Sequence, residues 1–447
     1  MEMGEDKLVE EQNEAKHKKA IWAWTMYDWA NSAFATTIMA SILPAYFSTY
    51  IDPGNSVAIW GSVVAIGSLI AALISPVLGA IADFKGSKKL FLGFFAGLGV
   101  VSTALLLLVK APTDWLLACV LYILGTVGFA GSLVFYDGLL PHVAREDEMD
   151  KVSSRGYAVG YIGGGLLLLI NVLMIFFVPK LLPNMDTDAA TQLMMRLSLA
   201  SVAVWWAVFS LPLFKYVKEP VRKVESAELH LNVVTVGFKR FFKALKNISK
   251  FKDLFLFLLT FLIYSNGIGT IITMAVIFGG DLGFGNLTLI GTLLLVQFVA
   301  APFAILFGKL SQKLGIKRAI TLSLIIYTLI AIVGYFMSKE WHFIVLGLGV
   351  ATVQGGSQAL SRSLVGQLMP KSKTAEFYGF FSVAEKFNTV VGPLLFAVVK
   401  LITDNSRLAI ISLVIFFVVG MILLRKVDID RGVAQAAAED AKMITVE

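Results

Sequence analysis

The chain has 447 residues, 57% of them hydrophobic and only 15% charged, with a mean hydropathy of +0.78. Soluble domains carry about 25% charged residues, so an ordinary soluble enzyme or binding module is excluded. The single cysteine, Cys119, excludes an intrachain disulfide framework. The formal net charge of +7 raises nucleic acid as a partner, but the placement of the basic residues argues against it.

A helix that crosses a bilayer needs ~20 mostly apolar residues. Twelve blocks qualify: 20–50, 57–82, 89–110, 113–138, 155–179, 196–217, 252–280, 286–308, 318–338, 341–364, 374–401 and 407–425, the seventh carrying polar breaks. Residues 1–19 are charged and lack the apolar centre of a secretory signal, so the first block is expected as a retained span. With the N-terminus inside, 31 of the 38 Lys and Arg residues fall on the inner side. Six fall outside (Lys110, Lys180, Arg196, Lys339, Lys400 and Arg407) and Lys386 falls within a span. This positive-inside bias predicts cytoplasmic termini and makes the basicity a topology signal, with no nucleic acid as partner.

The first block contains YDWANSAF (27–34). A charge at mid-membrane costs ~2.5–3.5 kcal/mol on insertion scales and normally faces a cavity or a partner. Asp28 lies ~13 Å along this helix from Lys19 at 1.5 Å per residue, and Asn31, Ser32 and Ala35 share its face. That narrow polar face suits a wet cavity; the alternative is that Asp28 pairs with a neighbouring helix and only holds the bundle. Asp83, Asp137, Arg155 and Arg362 fall near the predicted inner ends of spans, where opposite charges form a candidate cytoplasmic gate, solvated loop charges being the alternative. The glycines of SRGYAVGYIGGG (154–165) are expected to permit close helix packing.

Between the sixth and seventh blocks, Leu231, Val234, Phe238, Phe241, Leu245 and Ile248 follow helical spacing, with Lys239, Arg240, Lys243 and Lys246 on other faces. This predicts an amphipathic helix in the cytoplasmic interface rather than an ordinary linker helix. Tyr264, Ser265 and Asn266 in the seventh block, and Gln354, Ser357 and Gln358 in the tenth, suit recognition of a small polar solute, though polar groups also bind helices together. In the eleventh block Glu385, Asn388 and Gly392 share a face, with Lys386 about 100° away. Lys386 is a candidate for a cargo carboxylate, and Asp28 or Glu385 for an amine; an intramembrane ion pair is the alternative.

The halves resemble each other. GAIADFKGSKK begins at Gly79 and GKLSQKLGIKR at Gly308, 229 residues later. The Leu-Leu-Pro ending at Pro141 and the Leu-Met-Pro ending at Pro370 share that offset. A duplicated six-helix unit follows.

The pattern at Gly79, Asp83, Gly86, Lys88 and Lys89, with its degenerate copy at Gly308, Gly315, Lys317 and Arg318, resembles the loop signature of the major facilitator superfamily. YDWANSAF, FYDGLLPHVA (135–144), SRGYAVGYIGGG and QALSRSLVGQLMPKSKTAEFYGFF (358–381) resemble its autophagy-related vacuolar effluxer-like branch. The resemblance implies an all-α membrane protein with twelve transmembrane helices in two pseudo-symmetric six-helix bundles. It also implies a secondary transporter that works by alternating access. The usual superfamily arginine in the fourth span is absent: none precedes Arg145 there.

The expected organisation is a cytoplasmic tail (1–19), an N-terminal bundle (20–218), a cytoplasmic linker (219–250), a C-terminal bundle (251–426) and a cytoplasmic tail (427–447). The four histidines lack zinc-ligand spacing, and no GxSxG, HExxH or Walker A run is present. No enzyme activity, metal or cofactor is therefore expected, and a gradient is the expected energy source. The expected cargo is a small polar or zwitterionic solute, an amino acid or a related compound, with protons and membrane lipids as further partners. The chain is read as a monomer in the plasma (inner) membrane of a bacterium. A lipid or lysolipid flippase of the same fold is the main alternative, with a non-transporting receptor behind it.

Overall fold

The computed structural model describes residues 2–51, 56–182, 184–225, 228, 232–246, 248–387 and 391–445. Among them, twelve helices are long and apolar enough to cross a membrane. In chain order spans 1–6 are Glu10–Ile51, Ile59–Lys85, Lys88–Leu108, Pro112–Val143, Glu146–Leu181 and Thr187–Tyr216. Spans 7–12 are Lys252–Val276, Gly291–Leu314, Ile316–Tyr335, Glu340–Leu368, Lys371–Thr403 and Ser406–Lys426. Span 7 belongs to one unbroken helix, Lys252–Asp281, despite its polar residues. Large apolar side chains such as Leu73, Phe94, Phe176, Leu211 and Leu401 are exposed on the outside, as suits a chain solvated by lipid.

Two apolar cores lie side by side. One gathers Trp24, Tyr27, Phe34, Tyr136 and Trp206 from the first half. The other gathers Phe257, Tyr264, Tyr327, Leu360 and Phe417 from the second. The halves meet along two long seams, span 2 against span 11 and span 5 against span 8. The repeated loop motif explains both. A Cβ on Gly79 would overlap the Ala375 carbonyl, and one on Gly308 would sit 2.6 Å from Ser154 Oγ. The first glycine of each copy thus lets its helix press against the opposite bundle.

The second glycine of each copy, Gly86 or Gly315, has φ of 61° or 84°, a region where a side chain is strained. The basic end of the motif also repeats its task. Lys89 Nζ donates to the Phe214 and Val217 carbonyls at 2.9 and 2.7 Å, and Lys317 Nζ to those of Arg425 and Val427 at 3.2 and 2.5 Å. Each lysine satisfies orphan carbonyls at the end of the last span of its own half.

The end that carries the termini is sealed. Asp83 accepts the Glu376 N–H at 2.8 Å, in the first turn of helix Thr374–Phe387, and pairs with Lys88 at 2.6 Å. A carboxylate there complements the helix dipole. Thr374 Oγ1 donates to the Gly138 carbonyl at 2.7 Å, tying span 11 to span 4.

The linker helix, Val233–Lys246, docks rather than floats. A Cβ on Gly237 would come within 2.5 Å of the Ile81 side chain, and buried Arg240 pairs with Glu228 at 2.7 Å. Phe241 stacks on Phe380 at 5.6 Å, whereas Phe238 and Phe242 are exposed. Leu231 and the side chains of Val234, Leu245 and Ile248 lie outside the described residues.

Helix Ile429–Asp440 straps the same end. Arg431 donates to Asp253 at 2.5 and 2.7 Å, and strand β1 (Lys223–Val224) pairs antiparallel with β2 (Ile444–Thr445). Burial opposes the charge on Glu439, but hydrogen bonds from Lys373 and Lys442 win and hold its pKa down to about 2. Because the folded value is depressed, this contribution is complete above the ordinary 4.5 and is lost as pH falls toward 2. Limited proteolysis of residues 429–445 is therefore expected to accelerate between pH 4 and pH 3, and Glu439→Gln to abolish that step.

Candidate functional site

Between the bundles lies a cavity of about 1050 Å³, counting its open side. Span 1 supplies one wall. Its α-helix Glu2–Ala33 gives way to a π-helical segment, Phe34–Met39, an irregularity that recurs at functional sites. Thr36 Oγ1 bonds the Ser32 and Gly164 carbonyls at 3.1 and 3.2 Å, pinning the widened turn to span 5. Span 5 comes this close because it is glycine-rich there. A Cβ on Gly156 would collide with Asp28 Oδ2, and one on Gly160 would lie 2.6 Å from Ser32 Oγ.

The closed floor is a charged knot. Arg362 of span 10 donates through Nη1 and Nη2 to Asp28 Oδ2, both at 3.2 Å, and through Nη1 to Asp137 at 3.3 Å. Its Nε donates to Ser153 Oγ at 2.9 Å and its Nη2 to the Ser153 carbonyl at 2.8 Å. Tyr136 donates to Asp28 at 2.7 Å, and Trp24 stacks on Tyr136 at 4.4 Å. The guanidinium carbon lies 4.3 Å from the Tyr157 ring centre and 4.9 Å from that of Trp24. One cation from the second half thus holds two acids and a span-5 backbone from the first. Such a knot suits a contact that breaks and reforms between states.

Glu385 also lines the cavity. Asp28, Asp137 and Glu385 outnumber Arg362, so acidic side chains outnumber basic ones in the described lining. Gln354 and Gln358 lie above the knot, the latter accepting from Tyr161 OH at 2.9 Å. Asn31 and Ser32 complete the polar wall, and the buried Asn31 Nδ2 has no partner among the described residues.

The other sequence candidates sit elsewhere. Tyr264 bonds Ser361 Oγ at 2.5 Å and lines a smaller adjoining space that shares Gln358 and Glu385 with the main cavity. Asn266 is committed to structure: its Nδ2 donates to the Leu262 carbonyl at 2.5 Å and its Oδ1 accepts the Gly392 N–H at 3.0 Å. It fastens span 7 to the start of helix Val391–Thr403, is buried, and is not among the residues lining the main cavity. Lys386 is half-buried and not among the lining residues, because one step along a helix turns the side chain ~100° from Glu385. Asn388 lies outside the described residues.

Of the four gate candidates, two come together. Only Asp137 and Arg362 meet; Asp83 serves the span 2–span 11 seam, and Arg155 is exposed on span 5. Helix Glu340–Leu368 outruns the expected 341–364, and helix Trp115–Val143 outruns 113–138, so Arg362 and Asp137 lie inside the bundle rather than at its edge. The expected blocks end at 364 and 138, whereas the helices run on through VGQL and LLPHV.

Two six-helix halves around a central polar cavity define a transporter of the major facilitator class. The solved structure of the proton:xylose symporter XylE, 13% identical, superposes with a TM-score of 0.70 over 93% of this chain and 96% of that one. The family described as vacuole effluxer Atg22 like matches residues 55–437, and the chain belongs to it. An uncharacterized MFS-type transporter of Bacillus subtilis, YxiO, is 39% identical over 407 residues, 90% of this chain and 93% of that one. Autophagy-related protein 22 of Kluyveromyces lactis is 25% identical over 379 residues, 78% and 74% of the two chains. The protein is a multi-pass membrane transporter.

Proposed function

We propose that the protein is a proton-linked secondary transporter that moves a small zwitterion, an amino acid or a related compound, by alternating access. The observation that carries this reading is the Arg362–Asp28–Asp137 knot at the closed floor of the inter-bundle cavity. Arg362 is the one cation among the described lining residues, and a cargo carboxylate that reaches it competes with Asp28 and Asp137. Glu385, across the cavity, offers an acceptor for the amine. A zwitterion matches both ends, and a proton on one of the acids offsets the remaining negative charge. Loosening the knot frees spans 4 and 5 from span 10, which would let the sealed end part. No catalytic step is assigned.

In proteoliposomes with an imposed pH gradient, Asp28→Asn and Glu385→Gln are each expected to lose pH-driven amino-acid flux while folding normally. Full pH dependence in both would place coupling elsewhere. The reading takes a monomer in a bacterial inner membrane with cytoplasmic termini. In a Cys119→Ser background, an impermeant thiol reagent added outside is expected to label Thr113→Cys and spare Lys313→Cys, both exposed positions. The reverse pattern would invert the topology.

An amphipathic cargo such as a lysolipid is the second reading. An apolar space of about 810 Å³ among spans 7 to 10 shares Ile272, Gln297 and Gln354 with the main cavity. Faster transport of labelled lysolipid than of any amino acid would favour it.

A further inference from the structure

A second built space lies away from the transport cavity, at the end that carries the termini. It is about 880 Å³ counting its mouth, and lies between the start of span 1, the end of span 4 and the end of span 6. Its lining includes Lys16, Lys19 and Lys218 with His17, His142 and Tyr216, and no acidic residue among the described ones. The neighbouring carboxylates are engaged elsewhere. Glu14 pairs with Arg145 at 2.6 Å and Lys18 at 3.7 Å, Glu148 is bonded by His17, and Glu219 accepts the Lys88 and Lys89 N–H groups at 2.6 and 2.9 Å. The contrast with the other basic recess of this face is informative: around Arg240 and Lys373, Glu376 and Glu439 are part of the lining itself.

Three lysines lining a roomy recess, with no acid among its described lining residues, suit a multiply charged anion. The rings beside the recess are of the kind found at a bilayer surface. Lys19 Nζ lies 4.0 Å over the Tyr216 ring, and exposed Trp22 lies 6.4 Å from that ring. Aromatic rings of this kind mark the headgroup level, and basic recesses between helices there suit phosphate headgroups.

We propose that this recess binds a phosphate-bearing anion, supplied by the headgroup of an anionic phospholipid in the leaflet on the side of the termini. The phosphate sits among Lys16, Lys19 and Lys218, with His17, His142 and Asn13 as further polar groups at the wall. The bound headgroup ties the start of span 1, which carries Asp28, to the end of span 6, and so links the first-half side of the charged knot to membrane composition.

The test uses the purified full chain in neutral detergent, reading the thermal unfolding midpoint while short-chain phosphatidylglycerol, phosphatidylcholine or inorganic phosphate is titrated. Phosphatidylglycerol is expected to stabilise at far lower concentration than phosphatidylcholine, since only a ligand of the folded state raises the midpoint. The combined Lys16→Gln, Lys19→Gln, Lys218→Gln variant is expected to need about a hundredfold more phosphatidylglycerol, each lysine near the surface contributing about fivefold. The combined Lys→Arg variant and a distant control, Lys309→Gln with Lys313→Gln, are expected to behave as the parent. If the triple variant does not fold, Lys16→Gln and Lys218→Gln alone are each expected to shift the curve about fivefold. Lysine-dependent stabilisation by inorganic phosphate at least as strong as by phosphatidylglycerol would keep the phosphate site and overturn the lipid as its source. Equal responses to the two lipids, or an unchanged phosphatidylglycerol curve in the glutamine variants, would overturn the site altogether.

Discussion

Arg362→Gln is expected to destabilise the protein by about 3–5 kcal/mol, the usual cost of stripping one partner from a buried ion pair. Arg362 is 2% exposed, and Asp28 and Asp137 are each 7% exposed. Without the guanidinium, two carboxylates face one another across the cavity floor with little water to screen them. Tyr136 still bonds Asp28, but Asp137 loses its ion pair and Ser153 loses both guanidinium contacts. Arg362→Lys is expected to recover part of the loss, because an ammonium is a point charge and cannot reach both acids and Ser153 in one plane. Adding Asp28→Asn to Arg362→Gln removes half of the uncompensated charge, so the double variant is expected to be more stable than Arg362→Gln alone. Thermal unfolding of the four purified proteins measures this directly. If Arg362→Gln is as stable as the parent, the knot contributes nothing to the sealed state.

Gly79→Leu is expected to hold the protein away from the conformation described here. Any Cβ at this position overlaps the Ala375 backbone, and backbone cannot swing aside as a flexible side chain can. The nearby Gly379 meets Pro76 in the same way, its Cβ falling 2.5 Å from the Pro76 Cα, so the seam has no slack on either partner. Overpacking costs about 1–3 kcal/mol, which is a shift of about 5–150-fold in the balance between two states. The observable is Thr374→Cys in a Cys119→Ser background. Thr374 is fully buried in the sealed end, and its thiol is expected to alkylate faster by that factor once Gly79→Leu is introduced. Net transport is expected to fall, since one of the two alternating states is disfavoured. Unchanged alkylation would mean that the span 2–span 11 seam is not a moving contact.

The twelve spans were legible because each is a long apolar run, and the duplication because its loop motif is punctuated by glycines with a steric task. Gly79 and Gly308 face the opposite bundle, and Gly86 and Gly315 turn with positive φ; neither task tolerates another residue easily, so both leave a trace in the sequence. Asp28 was legible for a similar reason: a carboxylate far inside an apolar run demands an explanation. Its partner was not. Arg362 sits in a polar stretch, where hydropathy falls before the helix ends, and its 334-residue separation from Asp28 leaves no periodicity to connect them. Lys386 attracted attention because it interrupts a clean apolar run, yet it does not line the cavity; hydropathy registers a charge and is blind to its azimuth. Asn266 bridges span 7 and helix Val391–Thr403 here, and an amide that bridges two helices and one that meets a solute look identical in sequence.

The most direct test of the transport site places a thiol on the cavity wall. Ser32 lines the cavity beside the knot and is half-buried. With Cys119→Ser as background, Ser32→Cys is exchanged into proteoliposomes and alkylated from the cavity's open side, with and without a panel of amino acids, amines, organic acids and lysolipids. The account predicts that an amino acid slows alkylation saturably, at the concentrations that saturate its own flux, and that the protection disappears in Arg362→Lys. Protection by none of the amino acids that the protein transports, or protection that survives unchanged in Arg362→Lys, would contradict it.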